Sequence, residues 1–578
     1  MKKIFLLFWV SILSQALFAR HVDKATAVNT ARNFYYSALN INAATKDVPD
    51  VVSTESYFTG NILTYYIVNF SNKGYVIVPS DDEFYPVIGY SDEANLNPAD
   101  IPPAMRWWLD MQAAESEKSM NPQSEYSKSI RNAWEKLSSG NIDKSNSKTL
   151  VAPLLTSRWD QGSGYNYHCP QYSSGPGGRC YAGCVATTMA QIMYYHKYPE
   201  HGTGSHYYNH VYFGSLGANF EETTYDWAAM TNVLNANSME SISTLISHCG
   251  LSVNMNYSPL GSGAGSSNVE EALKNHFNYS NRLKYLEKSD YDNYQWNQMI
   301  IDNLEMQLPV YYSGSGSAGG HAFVCDGVKD SCYFHFNWGW SGSANGYFYL
   351  SNLNSGNGNF SSAQAAVMNI APYSYPYCLG QKEFTMESKT FNDGSNFSYY
   401  WNDTDCEWLI APDTADHITL LFTSFATEKD HDILSIYKGD DATDSLIGQY
   451  SGHCIPPVIT VTGNRLYLRF TTDDSGQDQG WTAMYSTLEY VGVSENDTDH
   501  KLNISPNPAS DMITVDLPSE NTEAVITFYN LTGEQFLLPF SGRNKQFTAD
   551  VKDLAQGFYF VKIISNKETF IGKVLIQH

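Results

Sequence analysis

Residues 138–149 of this chain read S-S-G-N-I-D-K-S-N-S-K-T and contain almost nothing that can pack into a core. Such a segment predicts an exposed linker, and a site of proteolytic cleavage, between two folded units. At 578 residues the chain is also too long for one hydrophobic core. The sequence therefore predicts two to four domains, with a new one starting near Val151.

The N-terminus has the pattern of an export signal. Two lysines follow Met1, an apolar run covers Ile4 to Leu13, and Ala19 supplies a small residue for a signal peptidase. We expect residues 1–19 to be removed and the rest to enter an oxidising compartment. Nine cysteines is an odd number, so at least one thiol lacks a partner within the chain.

The charge balance excludes some partners. Lys and Arg total 35 against 60 Asp and Glu, and nucleic acids and anionic membranes both attract basic surfaces. We therefore expect no nucleic-acid partner. Aromatic residues make up 14% of the chain, which is typical of folded domains.

The pattern of apolar residues divides the chain further. Residues 20–150 predict a small α+β unit and the linker, with strands at Tyr65–Phe70 and Tyr75–Pro79 around a turn. Residues 151–372 are rich in Gly, Tyr and Trp and predict a mixed α+β domain. Residues 378–490 and 500–578 alternate apolar and polar positions, which predicts two all-β domains of sandwich type.

Cys184 is the first candidate catalytic residue. It stands before a helical pattern in which Val185, Met189, Ile192 and Met193 share one side, so we expect it at a helix N-terminus. The helix dipole and free backbone N–H groups favour a thiolate there, especially beside a cationic histidine. The alternative is a structural disulfide with a nearby cysteine, either Cys180 or Cys169.

His321 is the candidate base. Residues 319–324 and 332–340 read as a β-hairpin, and a turn centred on Lys329 would place His321 opposite Asn337, with Cβ atoms roughly 5 Å apart. An amide oxygen at one ring nitrogen leaves the other to face a thiol, the arrangement of nucleophile, base and orienting residue. The alternative is a core histidine with its hydrogen bonds satisfied.

Two further segments complete the expected site. Gln161, in the string W-D-Q-G, could donate its side-chain amide to a developing oxyanion together with the Cys184 backbone N–H. Taken alone, it reads as an ordinary surface residue. The loop Gly261 to Gly265 leads to Ser267, which with Glu270 predicts a capping box for the next helix.

The strings W-D-Q-G, G-C-V-A-T, A-Q-I-M-Y-Y-H, G-S-G-A-G-S-S, P-V-Y-Y, G-G-H-A-F-V and N-W-G-W resemble, in this order, the streptopain-like cysteine peptidases, the papain-like C10 family. The resemblance covers 151–372, and Gly74 to Val78 looks like the family's prodomain. It implies a papain-like fold, an inhibitory prodomain over 20–150, and Cys184, His321 and Gln161 as nucleophile, base and oxyanion residue. It also implies that Trp338 orients the histidine, with Asn337 either sharing that role or losing it, and that Gly263, Ala264 and Gly265 line the substrate cleft.

The segments after residue 372 carry weaker resemblances. Residues 378–490 resemble a CUB-type sandwich, which implies a disulfide between Cys378 and Cys406 and a calcium site at Glu428, Asp432 and Asp473; a solvated acidic loop is the alternative for those carboxylates. Residues 500–578 resemble the C-terminal sorting domain of Bacteroidetes type IX secretion substrates. That resemblance implies passage through the periplasm to the outside or to the outer-membrane surface.

These features predict a secreted cysteine endopeptidase, made as a zymogen, that cleaves extracellular proteins and peptides and needs no cofactor for catalysis. Its expected partners are its substrates, its own prodomain and the type IX machinery. The string G-x-S-x-G of serine hydrolases and H-E-x-x-H of zinc peptidases are absent from the sequence. His201, His206 and His210 read as a polar loop rather than a metal site. The alternative function is a secreted binding protein whose CUB-like module grips its ligand beside an inactive peptidase scaffold.

Overall fold

A computed structural model of the whole chain describes residues 21–39, 49–116, 125–140, 149–316, 319–330, 332–350, 364–373, 375, 378, 380–395, 399–487, 502–521, 524–530, 535–536, 538, 540–552, 554, 557–565 and 568–577. The expected signal peptide over 1–19 lies outside the described residues, as does most of the expected linker. The chain forms two compact units, Met1–Pro376 and Tyr377–His578.

The first part of unit one, before the linker, is the leader. Its helices and strands are α1 (Lys24–Ala38), β1 (Val51–Thr59), β2 (Ile62–Phe70), β3 (Gly74–Pro79), β4 (Gly89–Ser91), α2 (Pro103–Ser116) and α3 (Glu125–Ser139). The expected hairpin of β2 and β3 forms. Val68 pairs with Val76, and both residues are fully buried. α1 covers it through Ala27, Ala31 and Tyr35.

The second part of unit one is the larger α+β domain. Its elements are β5 (Thr149–Val151), α4 (Cys184–His196), β6 (Ser205–His210), β7 (Gly214–Asn219), α5 (Met239–Ser252), α6 (Asn268–Phe277), β8 (Lys284–Glu287), α7 (Asn293–Glu305), β9 (Val310–Gly316), β10 (Gly319–Lys329), β11 (Tyr333–Asn337), β12 (Gly346–Tyr349) and β13 (Gln364–Met368). Short 3₁₀ turns lie at Pro98–Asp100, Pro176–Gly178 and Lys288–Asp290.

One large sheet joins the leader to this domain. The strand order is β1-β2-β3-β4-β12-β11-β10-β9-β13-β8. β5 lies outside this order and pairs with the last two residues of β10. The junction is the antiparallel pairing of β4 with β12, in which Gly89 faces Phe348 and Tyr90 faces Tyr347. The leader is therefore built into the sheet that carries the domain's central strands.

The expected linker is shorter than the sequence suggests. Its first residues, Ser138 and Ser139, complete α3, and its last, Thr149, begins β5 by pairing with Lys329. The pairing of Val151 with Val328 ties the start of the larger domain to β10. A cut upstream of Thr149 leaves this strand in place.

Unit two begins with a sandwich of two sheets, in which all strand pairs are antiparallel except the first strand with the third. Its strands are β14 (Gln381–Phe384), β15 (Ser388–Asn392), β16 (Asp405–Ile410), β17 (His417–Ala426), β18 (Ile433–Lys438), β19 (Ser445–Tyr450), β20 (Ile459–Thr462), β21 (Leu466–Thr471) and β22 (Gly480–Ser486). One sheet has the order β14-β16-β21-β18-β19 and the other β15-β22-β17-β20. Cys378 and Cys406 form a disulfide with Cα atoms 5.2 Å apart.

The last segment is also built of strands, namely β23 (Asn503–Ser505), β24 (Met512–Asn521), β25 (Ala524–Asn530), β26 (Gln535–Phe536), β27 (Phe540–Asp550), β28 (Gly557–Ser565) and β29 (Glu568–Ile576). Ile513 and Val515 are buried on one face of β24. The predicted class, an α+β peptidase-like domain with an α+β leader and two all-β domains, is confirmed. No helix among the described residues is long and apolar enough to cross a membrane.

Candidate active site

The nucleophile candidate begins helix α4, as the sequence predicts. α4 starts at Cys184 itself, and Val185, Met189, Ile192 and Met193 are buried on its inner side. The cap residue, Gly183, has φ of 95°, and a Cβ there would lie 2.8 Å from the Met255 sulfur. A side chain at 183 would therefore displace the start of the helix that carries the thiol.

The Cys184 thiol is half-buried, and this burial raises its pKa above the usual value. Backbone N–H groups of Ala322, Val185 and Cys184 oppose that rise. The expectation of a lowered thiol pKa is thus not met with the leader in place. The reason is that no described residue places a positive charge beside the sulfur. Desolvation therefore raises the thiol pKa more than the backbone N–H groups lower it.

His321 lies on β10, one residue before the Ala322 N–H that faces the sulfur. Its side chain is half-buried, and burial lowers its pKa. Within the described residues it makes no hydrogen bond, ion pair or ring contact. Burial thus favours the neutral form of the ring, and no described residue orients it.

The predicted register of the hairpin is wrong. β10 and β11 do pair, but Asn337 faces Val324, and His321 faces Gly314 of β9 instead. The cause is the position of the turn: the ladder closes on the pair Lys329 and Tyr333, so its centre lies two residues beyond Lys329 and would place Asn337 opposite Cys325. A β-bulge between Cys325 and Gly327 moves Asn337 back toward His321, but by only one residue. A bulge of this kind leaves no clear trace in the sequence.

Asn337 and Trp338 have other partners in this structure. The Asn337 Nδ2 donates to the Ser157 carbonyl at 2.8 Å, and its Oδ1 accepts from the Gly339 N–H at 3.1 Å. The Trp338 indole N–H donates to the Ala344 carbonyl at 3.0 Å, with the ring against Phe323. Neither residue contacts His321 among the described residues.

Gln161 lies beside the loop that carries the nucleophile. Its backbone carbonyl accepts from the Ala182 N–H at 2.9 Å, two residues before Cys184. Its side chain is 9% exposed, and the amide donates to no described residue. Gln161 therefore lies close in the fold to α4, and its side-chain amide has no partner among the described residues.

The glycine-rich loop also reaches this region. Gly263 forms an isolated β-bridge with Asn256, and the space where its Cβ would stand is open. Ala264 is partly buried against the core, and Gly265 precedes α6. The predicted capping box does not form: Ser267 has helical dihedrals and makes no cap bond, while the Glu270 carboxylate accepts from Lys274 Nζ at 2.5 Å and from the Tyr285 N–H at 2.7 Å.

The leader covers the strand next to His321. A Cβ built on Gly314 would lie 2.0 Å from the Trp107 ring of α2, so the indole occupies the place of a side chain at 314. Because directly paired residues of an antiparallel ladder point to one face, Trp107 lies on the same face as His321. Trp107 is 6% exposed and anchors the leader there.

A buried polar contact accompanies this anchor. His335 Nδ1 lies 2.6 Å from the Asp326 Oδ1, and its Nε2 lies 3.7 Å from the Glu93 Oε1 of the leader. Burial lowers the His335 pKa, but the two carboxylates outweigh it and raise the pKa to about 9. Glu93 also pairs with Arg158 at 2.9 Å. Sequence reasoning missed Trp107 and Glu93, because neither belongs to a motif and only the docked leader shows their roles.

In the sandwich, Glu428, Asp432 and Asp473 converge so that one oxygen of each lies within 4.8 Å of the others. Asp432 is fully buried, and its oxygens accept from the Tyr400 hydroxyl at 2.5 Å and the Asp473 N–H at 3.0 Å. The Glu428 Oε2 is buried without a hydrogen-bond partner. Three converging carboxylates with an unsatisfied buried oxygen fit a hard divalent cation.

A cysteine at a helix start, a histidine on the adjacent strand and a leader packed over that strand define the precursor of a cysteine peptidase. Comparison with known families agrees. Residues 159–348 match the Peptidase C10 family, 19–115 the Spi protease inhibitor, 378–485 the CUB domain, and 503–577 the secretion system C-terminal sorting domain. The sorting domain indicates a secreted or outer-membrane surface protein.

Curated relatives narrow this class. Streptopain of Streptococcus pyogenes is 31% identical over 390 residues, which are 61% of this chain and 92% of streptopain. The thiol protease/hemagglutinin PrtT of Porphyromonas gingivalis is 33% identical over 405 residues, 65% of this chain but only 45% of PrtT. The chain belongs to the Peptidase C10 family of cysteine endopeptidases.

Solved structures of the same kind are also similar. A prointerpain A fragment of Prevotella intermedia is 28% identical, with a TM-score of 0.44 over 55% of this chain and 99% of that one. Active interpain A of the same organism is 32% identical, with a TM-score of 0.35 over 40% of this chain and 98% of that one.

Proposed function

We propose that this protein is an exported zymogen that cleaves extracellular proteins with Cys184 as nucleophile and His321 as general base. The observation that carries the proposal is the packing of α4 against β10, in which Cys184 packs against the same core cluster as Ala322, the residue after His321. His321 takes the thiol proton, and the thiolate attacks the peptide carbonyl. His321 then gives that proton to the leaving amine, and water hydrolyses the thioester by the reverse sequence.

The developing oxyanion needs donors at the helix start. The Cys184 backbone N–H and the Gln161 side-chain amide fill this role in the proposal, because the Gln161 segment is hydrogen-bonded to Ala182 and its amide is unengaged. Removing one such donor typically costs 10²- to 10³-fold in kcat. The open space at Gly263 supports an extended substrate backbone lying along Gly263, Ala264 and Gly265.

The proposed domain limits follow the peptidase assignment: a leader and linker over 20–150, the enzyme over 151–372, the CUB-like module over 378–490 and the sorting domain over 500–578. The leader keeps the enzyme latent in this proposal. Trp107 occupies the His321 face of the sheet, and without it His321 can meet the thiol and its orienting residues, Asn337 and Trp338. Rehydration of the site then favours the ion pair that burial disfavours in the precursor.

Processed protein should digest casein under reducing conditions, and an excess of isolated leader, residues 20–137, should stop the digestion. A leader carrying Trp107→Ala should inhibit at least about 30-fold more weakly, because truncating a buried aromatic anchor costs about 2 kcal/mol or more. The measurement is the inhibition constant against a peptide substrate. Phe58→Ala, at a leader position that is 53% exposed, is the matched control and should inhibit like wild type. Equal inhibition by the wild-type and Trp107→Ala leaders would show that Trp107 does not contribute to latency.

We propose in addition that the CUB-like module binds calcium through Glu428, Asp432 and Asp473. The buried, unsatisfied Glu428 Oε2 and the fully buried Asp432 support this role, since a bound cation would give the Glu428 oxygen a partner and offset the buried charge of Asp432. Three carboxylates brought together without a cation repel one another, so the ion would stabilise the module.

Calcium at 100 times its Kd should stabilise the module by about 2.7 kcal/mol, which raises the Tm of its unfolding transition by several degrees. Asp432→Asn should abolish the calcium-dependent shift. Asp413→Asn, at an exposed carboxylate of the same module, should keep it. Calorimetry on Cys184→Ala protein, which cannot digest itself, makes the comparison, and an unchanged shift in the Asp432 variant would exclude the site.

A further inference from the structure

Helix α4 carries a buried amide seven residues after Cys184, about two turns further along the same face. Gln191 is 0% exposed. Its Oε1 accepts from the Ser157 hydroxyl at 3.0 Å and from the Trp159 N–H at 3.3 Å. Its Nε2 donates to the Asn337 Oδ1 at 3.4 Å. The side chain thus uses both ends of its amide inside the core.

These partners belong to the segments that carry the proposed catalytic groups. Ser157 and Trp159 lead directly into Gln161, and Asn337 directly precedes Trp338. Asn337 closes the network, since its Nδ2 donates to the Ser157 carbonyl at 2.8 Å. Two separate stretches of chain therefore meet at one amide on the nucleophile's helix.

The network is buried. Ser157 and Asn337 are each 2% exposed and Trp159 is 0% exposed, so water cannot replace a lost partner. A buried polar group left unpaired loses its hydration without compensation, and the segment that bears it shifts to find another partner. Here such a shift would move the Gln161 segment relative to the Cys184 N–H.

We infer that Gln191 is a positioning residue for acyl transfer: it sets the distance between the Gln161 segment and the start of α4, and it fixes the amide of Asn337. The inference rests on the proposed roles of Cys184 and Gln161. Gln191 touches no reacting atom. It acts by holding the two oxyanion donors in register, and donors of this kind must lie within a few tenths of an ångström of their places.

The role predicts a selective kinetic defect. Gln191→Met fills the same volume but removes all three hydrogen bonds, so kcat for a peptide substrate should fall about 10- to 100-fold with KM within about threefold of wild type. Alkylation of Cys184 by iodoacetamide develops no oxyanion, so its rate should stay within about threefold. Gln191→Glu keeps the acceptor for Ser157 and Trp159 but offers Asn337 an O–H donor only while the carboxyl is protonated, so its kcat should lie between those of wild type and Gln191→Met and should fall as the pH rises.

Asn303→Leu is the matched control. Asn303 is a buried amide of the same domain whose Oδ1 accepts from the Asn369 N–H at 2.7 Å. Its loss should lower the Tm and leave kcat unchanged. All assays use processed protein. If Gln191→Met gives no processed protein, the test rests on the kcat of the Gln191→Glu variant.

A kcat within twofold of wild type in the tested Gln191 variant would overturn the inference. So would a parallel loss of kcat and of the iodoacetamide rate, since the residue would then support only the fold. Failure of the proposed roles of Cys184 and His321 can be told apart from failure of this inference, because it would appear as activity that survives Cys184→Ala in otherwise wild-type protein.

Discussion

Replacing Cys184 or His321 with alanine should remove essentially all peptidase activity, a loss of at least about 10⁴-fold in kcat. The effect is large because nucleophile and base act as a unit, so losing either one costs nearly as much as losing both. The measurement is casein or peptide hydrolysis by processed protein in a reductant. To separate chemistry from maturation, each variant is processed in trans by added wild-type enzyme.

Neighbouring residues of the same types provide the controls. Cys180→Ala removes a buried thiol whose pKa is raised by burial, and His201→Ala removes an exposed ring. Both variants should keep activity within a few-fold of wild type. Substantial turnover in the Cys184 or His321 variant would mean that the nucleophile or the base lies elsewhere. Loss of activity in Cys180→Ala would favour the alternative in which Cys180 and Cys184 form a structural disulfide.

Deleting residues 500–578 should leave the protein in the periplasm of a host with type IX secretion. The effect should be close to all or none, because the matched sorting domain at 503–577 is an address read by the export machinery and not part of the peptidase core. Cell fractionation and immunoblotting of the medium, outer membrane and periplasm give the answer.

Export needs a control for lost proteolysis. Full-length Cys184→Ala keeps its sorting domain and should leave the periplasm as an inactive protein. Export of the truncated chain at the wild-type level would contradict the sorting role of this segment. Retention of full-length Cys184→Ala would instead tie export to the protein's own activity.

Local patterns in the sequence predicted the elements that follow from local chemistry. The helix at Cys184 and the β2–β3 hairpin each depend on spacing within one local segment. Burial of a face every two or 3.6 residues is visible without any knowledge of partners. These elements formed where the spacing placed them.

Relations between distant segments could not be predicted in the same way. The position of the turn after β10 placed Asn337 opposite Val324 rather than His321, and Trp107 lies against Gly314 because the leader joins the sheet through β4. The Cys184 pKa depends on the same tertiary packing, since burial by the assembled domain outweighs the helix-terminal N–H groups. Gln191 lay inside a string typical of the family, yet its partners come from segments on either side of it in sequence.

The most direct test of the account is to label processed protein with a peptidyl inhibitor that reacts with thiols and to map the modified residue by mass spectrometry. The account predicts one adduct, on Cys184, with loss of activity in proportion to labelling. It also predicts that His321→Ala slows this labelling sharply, since the thiolate then lacks its base. An adduct on any other cysteine, or full labelling of Cys184 with activity retained, would contradict the claim that Cys184 is the nucleophile.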